Sequence, residues 1–333
     1  MSKAPLDRQI LALTDVQLEQ FVREWISHKK EYAEVRRFSG PGDMGRDVVG
    51  FLSTKKHEGD WHNYQCKQYG RTLPTGLGLA EVGKVLYYSH QDEFTPPTRF
   101  FFVAPRGLHR DLKRYISKPA EFKAALLSTW DQNCAKSIIE NKLIPLSLEL
   151  RAFIESYNFS AITQISADDI LLDSSSKAAL HNWFDVDPGP APLGVVPNQI
   201  TAIELPYVQA LLDAYGEREG AVMDQLETRE HATHGPHLHR QRERFFDADA
   251  FERFYRDNTM QQELDRLRRD VRHGIEETHQ GSHVDSLARA DAVMIQAANL
   301  HPSGTLSKHA GVPVRQGICH HFVNEGALSW SKE

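Results

Sequence analysis

The run TRFFFVAP at 98–105 limits the fold of this chain more than any other segment. An apolar stretch without polar alternation, stopped by a proline, predicts a strand covered on both faces. Such a strand needs helices on both sides of its sheet, which selects the α/β class. The preceding residues supply the other elements. After Thr14-Asp15, a helix N-cap, the residues Leu18, Phe21, Val22, Trp25 and Ile26 repeat at i, i+3, i+4, i+7 and i+8, one apolar helical face. That helix ends near His28-Lys29-Lys30, where the macrodipole favours basic side chains. AEVRRF (33–38) reads as a short strand, SGPGDMG (39–45) as a loop and RDVVGFLS (46–53) as a second strand. After the polar turn KKHEGD (55–60), WHNYQCKQY (61–69) pairs back as a hairpin. A helix over 76–89 follows, with Leu77, Val82, Val85 and Leu86 facing inward. The expected order is α, β, β, β, α, β, with helices continuing to about residue 140.

The second half has another texture. FDVDPGPAPLGVVPN (184–198), with four prolines, reads as a linker or a long exposed connection. Helical patterns follow at about 204–229, 240–256 and 259–279, with HATHGPHLHR (231–240) as a flexible polar turn. Phe245, Phe246, Phe251, Phe254, Tyr255, Leu264 and Leu267 anchor the last two helices and leave aromatics exposed beside alternating charge. The ending GICHHFVNEGALSW (317–330) is apolar enough to pack down. The expected domains are 1–165, a connecting region 166–200, and a mainly helical 201–333.

Charge divides the same way. The net −6 is the sum of +4 over 1–150 (22 Lys+Arg against 18 Asp+Glu) and −10 over 151–333 (17 against 27). A half at −10 repels phosphate and suits a protein partner, whereas the first half admits a polyanion. Three well-separated cysteines, Cys66, Cys134 and Cys319, form no disulfide framework. No apolar run approaches a membrane span, and Asp7 and Arg8 interrupt any secretory signal, so a cytoplasmic protein is expected.

The chemistry concentrates in GPGDMGRDVVGFLSTKKHEGDWHNYQCKQY (40–69). Asp47 leaves a glycine-rich loop to open one strand. Gln65 and Lys67 share a face of the next, because strand side chains alternate. A hairpin gathers the three at one end of the sheet, and Glu19, just off the buried stripe of the first helix, leans over the strand tips. Asp47 and the Gln65 amide oxygen are hard oxygen donors suited to Mg²⁺ (or Mn²⁺), and Glu19 is placed to hold a metal-bound water or to contribute to a second metal. Such an ion acidifies water and neutralises a phosphate, and Lys67 adds a positive point charge. Cys66, between two functional residues, is expected to point into the core as an inert thiol. Two histidine groups, His231/His234/His237/His239 and His309/His320/His321 beside Cys319, follow no usual zinc spacing. They are read as loop and packed histidines.

These residues resemble the PD-(D/E)XK nuclease superfamily, in particular its Mrr-like branch and the double-stranded DNA endonuclease domains of bacterial anti-phage effectors. There a GxGDxGxDV segment precedes the catalytic aspartate, QCK stands for (D/E)XK, and a helical glutamate lies in an FExF-like context. GPGDMGRDVVGF supplies Asp47, QCK supplies Gln65 and Lys67, and LEQF supplies Glu19. The resemblance covers about residues 10–140. It implies a restriction-endonuclease-like core, an αβββαβ mixed sheet flanked by helices, with Asp47, Gln65, Lys67 and Glu19 catalytic and Asp47, Gln65 and Glu19 on the metal. Gln65 departs from the acidic residue of (D/E)XK and brings one less negative charge to the ion.

The architecture of the whole chain resembles the nuclease subunit of Lamassu-type ABC-three-component defence systems. That implies a DNA endonuclease effector, held inactive by an SMC-like ATPase complex docked on the C-terminal domain. Release or self-association would then switch it on. Two alternatives stand beside this. A stand-alone Mrr-like restriction endonuclease calls for a basic second domain, and a catalytically dead interaction module keeps the fold without the chemistry.

Overall fold

The architecture comes from a computed structural model, which describes residues 4–40 and 42–331. The chain divides into two compact units, 1–186 and 187–333. In the first, helix α1 (Leu6–Leu11) precedes α2 (Asp15–Ser27). A reciprocal capping box between Thr14 and Gln17 starts α2, and its expected stripe, Leu18 to Ile26, is buried throughout. The meander β1 (Glu34–Arg37), β2 (Val48–Phe51) and β3 (Trp61–Cys66) follows, then α3 (Thr75–His90) and β4 (Arg99–Val103). Short helices α4 (Arg110–Ser117), α5 (Pro119–Ser128), α6 (Trp130–Asn133) and α7 (Leu148–Ser156) lead to β5 (Ile162–Ile165). Helices α8 (Ala167–Leu172) and α9 (Lys177–Phe184) complete the unit.

The sheet runs β1-β2-β3-β4-β5, antiparallel through the meander and parallel from β3 to β5. Alternation splits its side chains between two cores. Val49, Phe51, Trp61, Phe100, Phe102 and Ile162 pack with Val82, Val85 and Leu86 of α3 and with Phe122. Val48, Tyr64, Cys66 and Val103 pack with the α2 stripe and with Ala179 and Leu180 of α9. Strand β4 is therefore covered on both faces, and the α/β class with a mixed sheet holds. Strand β5 goes beyond the expected order. It joins β4 across a gap of 58 residues, and its ITQI sequence is too short to announce itself.

Two expectations for this unit change. Leu77 is 44% exposed, because Gly78 and Leu79 take the inward positions of the first turn of α3. The charge division also shrinks at the structural boundary. Residues 1–186 carry 24 Lys+Arg against 23 Asp+Glu, a net +1, and 187–333 carry 15 against 22, a net −7. Residues 151–186 add Arg151 and Lys177 against Glu155, Asp168, Asp169, Asp173 and Asp185, and so cancel most of the excess.

The second unit is helical: α10 (Leu205–Glu219), α11 (Gln225–Glu230), α12 (His234–Asn258), α13 (Gln261–Gln280), α14 (Ser286–Asn299) and α15 (Val312–Asn324). The single helix expected at 204–229 is divided by Gly220, which adopts φ +66 as a left-handed cap. The expected flexible turn at 231–240 is instead largely the first turns of α12, with Pro236 placed where a helix tolerates it. Helix α14 is a further element that the sequence pattern does not announce. Nor are the aromatics exposed: Phe245, Phe246, Phe251 and Tyr255 are buried in the unit's own core with α10, α13, α14 and α15. Helices α12 and α15 approach closely at Gly317, where a Cβ would meet the Arg244 carbonyl oxygen at 1.9 Å. The ending packs down as expected, with Ile318, Phe322 and Trp330 buried.

The proline-rich stretch has no regular structure but is tied to α12. Gly194 N–H donates to Asp247 at 2.8 Å, and Arg242 donates to the carbonyls of Pro197 and Gln199 at 2.9 and 3.0 Å. Among the described residues, no helix is long and apolar enough to cross a membrane.

Candidate active site

The loop ahead of β2 is built to aim one carboxylate. Met44 and Gly45 take left-handed backbone, φ +55 and +87, and a Cβ on Gly45 would meet Val85 Cγ2 at 2.8 Å. Pro41 of this loop lies outside the described residues. Asp43 accepts from Gly45 N–H and from Lys84 Nζ, each at 2.8 Å. Arg46 is buried between the rings of Phe38 and Phe94, 4.4 and 4.5 Å from their centroids. It donates to the Asp43 carbonyl at 2.8 Å and to His57 Nε2 at 2.9 Å. Burial and the neighbouring guanidinium push His57 down to about 4, so it stays neutral and can accept that bond. The loop therefore enters β2 in one conformation, and Asp47 is the next residue.

Asp47 Oδ2 accepts from Gln65 Nε2 at 2.7 Å and from Cys66 N–H at 2.8 Å, and Lys67 Nζ stands 3.9 Å away. The hairpin thus brings together Asp47, Gln65 and Lys67, as strand alternation predicts. The Asp47 carboxyl is raised to about 7, chiefly by burial and also by the nearby charges of Glu81 and Glu19, against the opposing pull of Lys67 and the Cys66 amide. Burial disfavours the Lys67 ammonium too, but Asp47 and Glu81 more than offset it, and its pKa lies above the ordinary lysine value.

Glu81 is the residue that sequence reasoning missed. It projects from α3 and holds Lys67 Nζ at 2.9 Å, closer than Asp47 does. Helical glutamates are common, and only its position on the α3 face toward β3 gave any signal. Glu19 lies on the opposite side of the sheet, on α2. Its carboxylate binds Arg37 at 2.7 Å and reaches Asp47 only as a field. Glu19, Asp47 and Glu81 do not all lie within 4.8 Å of one another. Glu24, the competing glutamate of α2, is occupied by Asn182 and Trp183. Gln68 is a packing residue: its side chain donates to Leu11 O and its backbone N–H to Asp15 Oδ1, each at 2.7 Å. Cys66 is buried and free, its thiol pushed up by burial, which matches an inert role.

The donor set fits a hard divalent ion. Gln65 Oε1 is buried without a hydrogen-bond partner, and both bonds to Asp47 fall on Oδ2, leaving Oδ1 without a protein donor among the described residues. Two oxygens at one strand end are thereby available to an ion.

The histidine groups do not converge in the same way. Glu219, His231 and His234 place ligand atoms within 4.8 Å of one another. However, His231 Nδ1 accepts backbone N–H bonds from Thr233 and His234, which puts its proton on Nε2, the only nitrogen left for an ion. His234 is stacked between His231 and Tyr215 and bonded to Glu219 at 2.8 Å. Near the C-terminus, His309 binds Asp187, His320 binds Gln241 and His321 pairs with Glu252, so the three point to different partners.

No curated protein and no solved structure matches the chain significantly. Residues 204–330 match the family model for C-terminal domain 6 of the ABC-three component (ABC-3C) systems. The match opens at Glu204, one residue before α10, and spans every helix of the second unit. The second unit is thus similar to a C-terminal domain of multicomponent defence systems, which is consistent with a defence-system protein.

Proposed function

We propose that the first unit is a metal-dependent DNA endonuclease of the PD-(D/E)XK type and that the chain is the effector of an anti-phage ABC-three-component complex. One observation carries the catalytic reading: a buried carboxylate with a raised pKa, an amide oxygen lacking a partner, and a charged lysine meet at one strand end. Asp47 and Gln65 would hold Mg²⁺ or Mn²⁺, with Glu19 placed to bind a water beside it. When bound, the ion supplies an acidified water and charge neutralisation at the scissile phosphate. Lys67 places its ammonium where negative charge builds as the water oxygen bonds to phosphorus and a P–O bond breaks. Glu81 keeps that ammonium charged and fixed. The match of the second unit to an ABC-3C domain supports the defence role. In this reading that unit docks on an SMC-like ATPase, which restrains the nuclease until foreign DNA is sensed, and cutting both strands needs two copies in apposition.

The direct test is incubation of the full chain with supercoiled plasmid and Mg²⁺ or Mn²⁺, alone and after forced oligomerisation. Nicking or linearisation is expected, and Lys67→Ala should reduce it by about a hundredfold or more. Cleavage undiminished in that variant would remove Lys67 from the chemistry. For the partner, the full chain purified from cells carrying the native neighbouring genes should bring down a large coiled-coil ATPase. Recovery of nucleic acid alone would overturn the docking claim.

A further inference from the structure

Strands β3 and β4 run parallel and end together, Cys66 opposite Val103, so the chain leaves both into loops at the edge where Lys67 stands. The loops are laced to each other: Leu73 N–H donates to Gly107 O at 3.0 Å and His109 N–H to Leu73 O at 2.9 Å. Arg106 donates to the Leu11 carbonyl at 3.2 Å, the same oxygen that accepts Gln68 Nε2 at 2.7 Å. Its guanidinium therefore sits beside the residue that follows Lys67. Lys113 extends across Gly107, its Nζ 3.6 Å from where a Cβ would stand. Arg71 lies two residues before Leu73, and Arg110 directly follows His109.

Arg71, Arg106, Arg110 and Lys113 are exposed, and none has an ion-pair partner among the described residues. Several other cations of this unit are paired: Lys29 with Asp173, Arg37 with Glu19, Lys84 with Asp43, and Arg114 and Lys118 with Glu121. Exposed Lys30, Lys136 and Lys142 are unpaired too among the described residues, but lie on other segments. Asp111, the carboxylate that follows Arg110, is engaged by Arg114 and His109. In a unit at only +1, four unpaired cations on one edge make a local positive field that the average conceals.

We propose that this edge, formed by Arg71, Arg106, Arg110 and Lys113, is the docking surface for the sugar–phosphate backbone of duplex DNA and delivers the duplex to Asp47 and Lys67. The proposal rests on the nuclease reading for its choice of polyanion. Guanidinium forks match phosphate oxygens, and unpaired cations bind without first breaking a protein ion pair.

Fluorescence anisotropy of the full chain with a short labelled DNA duplex in EDTA, across a salt series, tests it without any cleavage. In Arg71→Gln/Arg110→Gln/Lys113→Gln, affinity should fall at least tenfold. The slope of log K against log salt should flatten by about 3, roughly 0.9 for each phosphate that is no longer neutralised. The control Lys30→Gln/Lys136→Gln/Lys142→Gln removes the same charge from exposed sites elsewhere in the unit and should leave the slope nearly unchanged. Equal losses in both variants, or an unchanged slope in the first, would overturn the surface. The two readings separate: edge-dependent binding with no cleavage in Mg²⁺ sinks the nuclease and keeps the surface, whereas cleavage with edge-independent binding does the reverse.

Discussion

Asp47→Asn is expected to abolish DNA cleavage and, in metal-free protein at pH 8, to raise stability. The two effects share one cause. Asp47 is only 7% exposed, and burial holds its carboxyl at about 7 instead of the ordinary 3.8. In the unfolded chain it titrates near 3.8, so between about pH 4 and pH 7 the native state binds the extra proton. Stability is then full below pH 4 and is lost as pH rises through 7. Asparagine has no charge to bury. It can still accept from Cys66 N–H, and Gln65 can turn its amide to meet it. The expected gain at pH 8 is about 2–4 kcal/mol, and the loss of cleavage about a thousandfold or more, the cost of roughly 4 kcal/mol at the transition state. Mg²⁺ should raise the melting temperature of the wild type and not that of the variant. At limiting Mg²⁺, wild-type cleavage should rise about tenfold per pH unit below 7 and level above it, because proton and metal compete for one carboxylate. Equal stability of the two proteins at pH 8, with cleavage intact in the variant, would remove Asp47 from the site.

Glu204→Ala is expected to destabilise the second unit by about 3–5 kcal/mol. Glu204 is fully buried and receives Arg242 on both oxygens, at 2.7 and 2.8 Å, together with Thr201 N–H at 2.9 Å. Arg242 also ties the Pro197 and Gln199 carbonyls to α12, so this pair fastens the proline-rich stretch to the helical unit. Removing the carboxylate strands a buried guanidinium with carbonyls and no counter-charge. Urea denaturation read by tryptophan fluorescence should show one transition shifted to lower urea. The double variant Glu204→Leu/Arg242→Met should return much of the loss, since replacing a buried pair by apolar side chains of similar volume is often near neutral. A midpoint unmoved by Glu204→Ala would mean that the cavity relaxes and water reaches Arg242.

The candidate site was legible where its logic was local. Period-2 alternation placed Gln65 and Lys67 on one face, and a hairpin across a six-residue polar turn could only return them toward Asp47. Glu81 was not legible, because a helix that packs on a sheet presents several side chains to it, and their partners depend on the crossing geometry. Glu19 and Glu24 illustrate the same limit. Five residues apart on α2, they are indistinguishable by pattern, yet one faces Arg37 and the field of Asp47 while the other is bound by Asn182 and Trp183. The charge division depends on where the chain is cut. At residue 150 the first half is +4, but the compact unit ends at 186 and is +1.

By itself, then, the sequence determined the α/β class, the αβββαβ order, the gathering of Asp47, Gln65 and Lys67, and a C-terminal half made of helices. Each follows from periodicity, chain direction or a short turn, which act over a few residues. Tertiary structure decided the rest: β5 beside β4, Glu81 on Lys67, the burial of the C-terminal aromatics, and the edge where Arg71, Arg106, Arg110 and Lys113 stand unpaired. Those depend on which distant segments meet, and side-chain partners across such junctions leave no repeating mark along the chain.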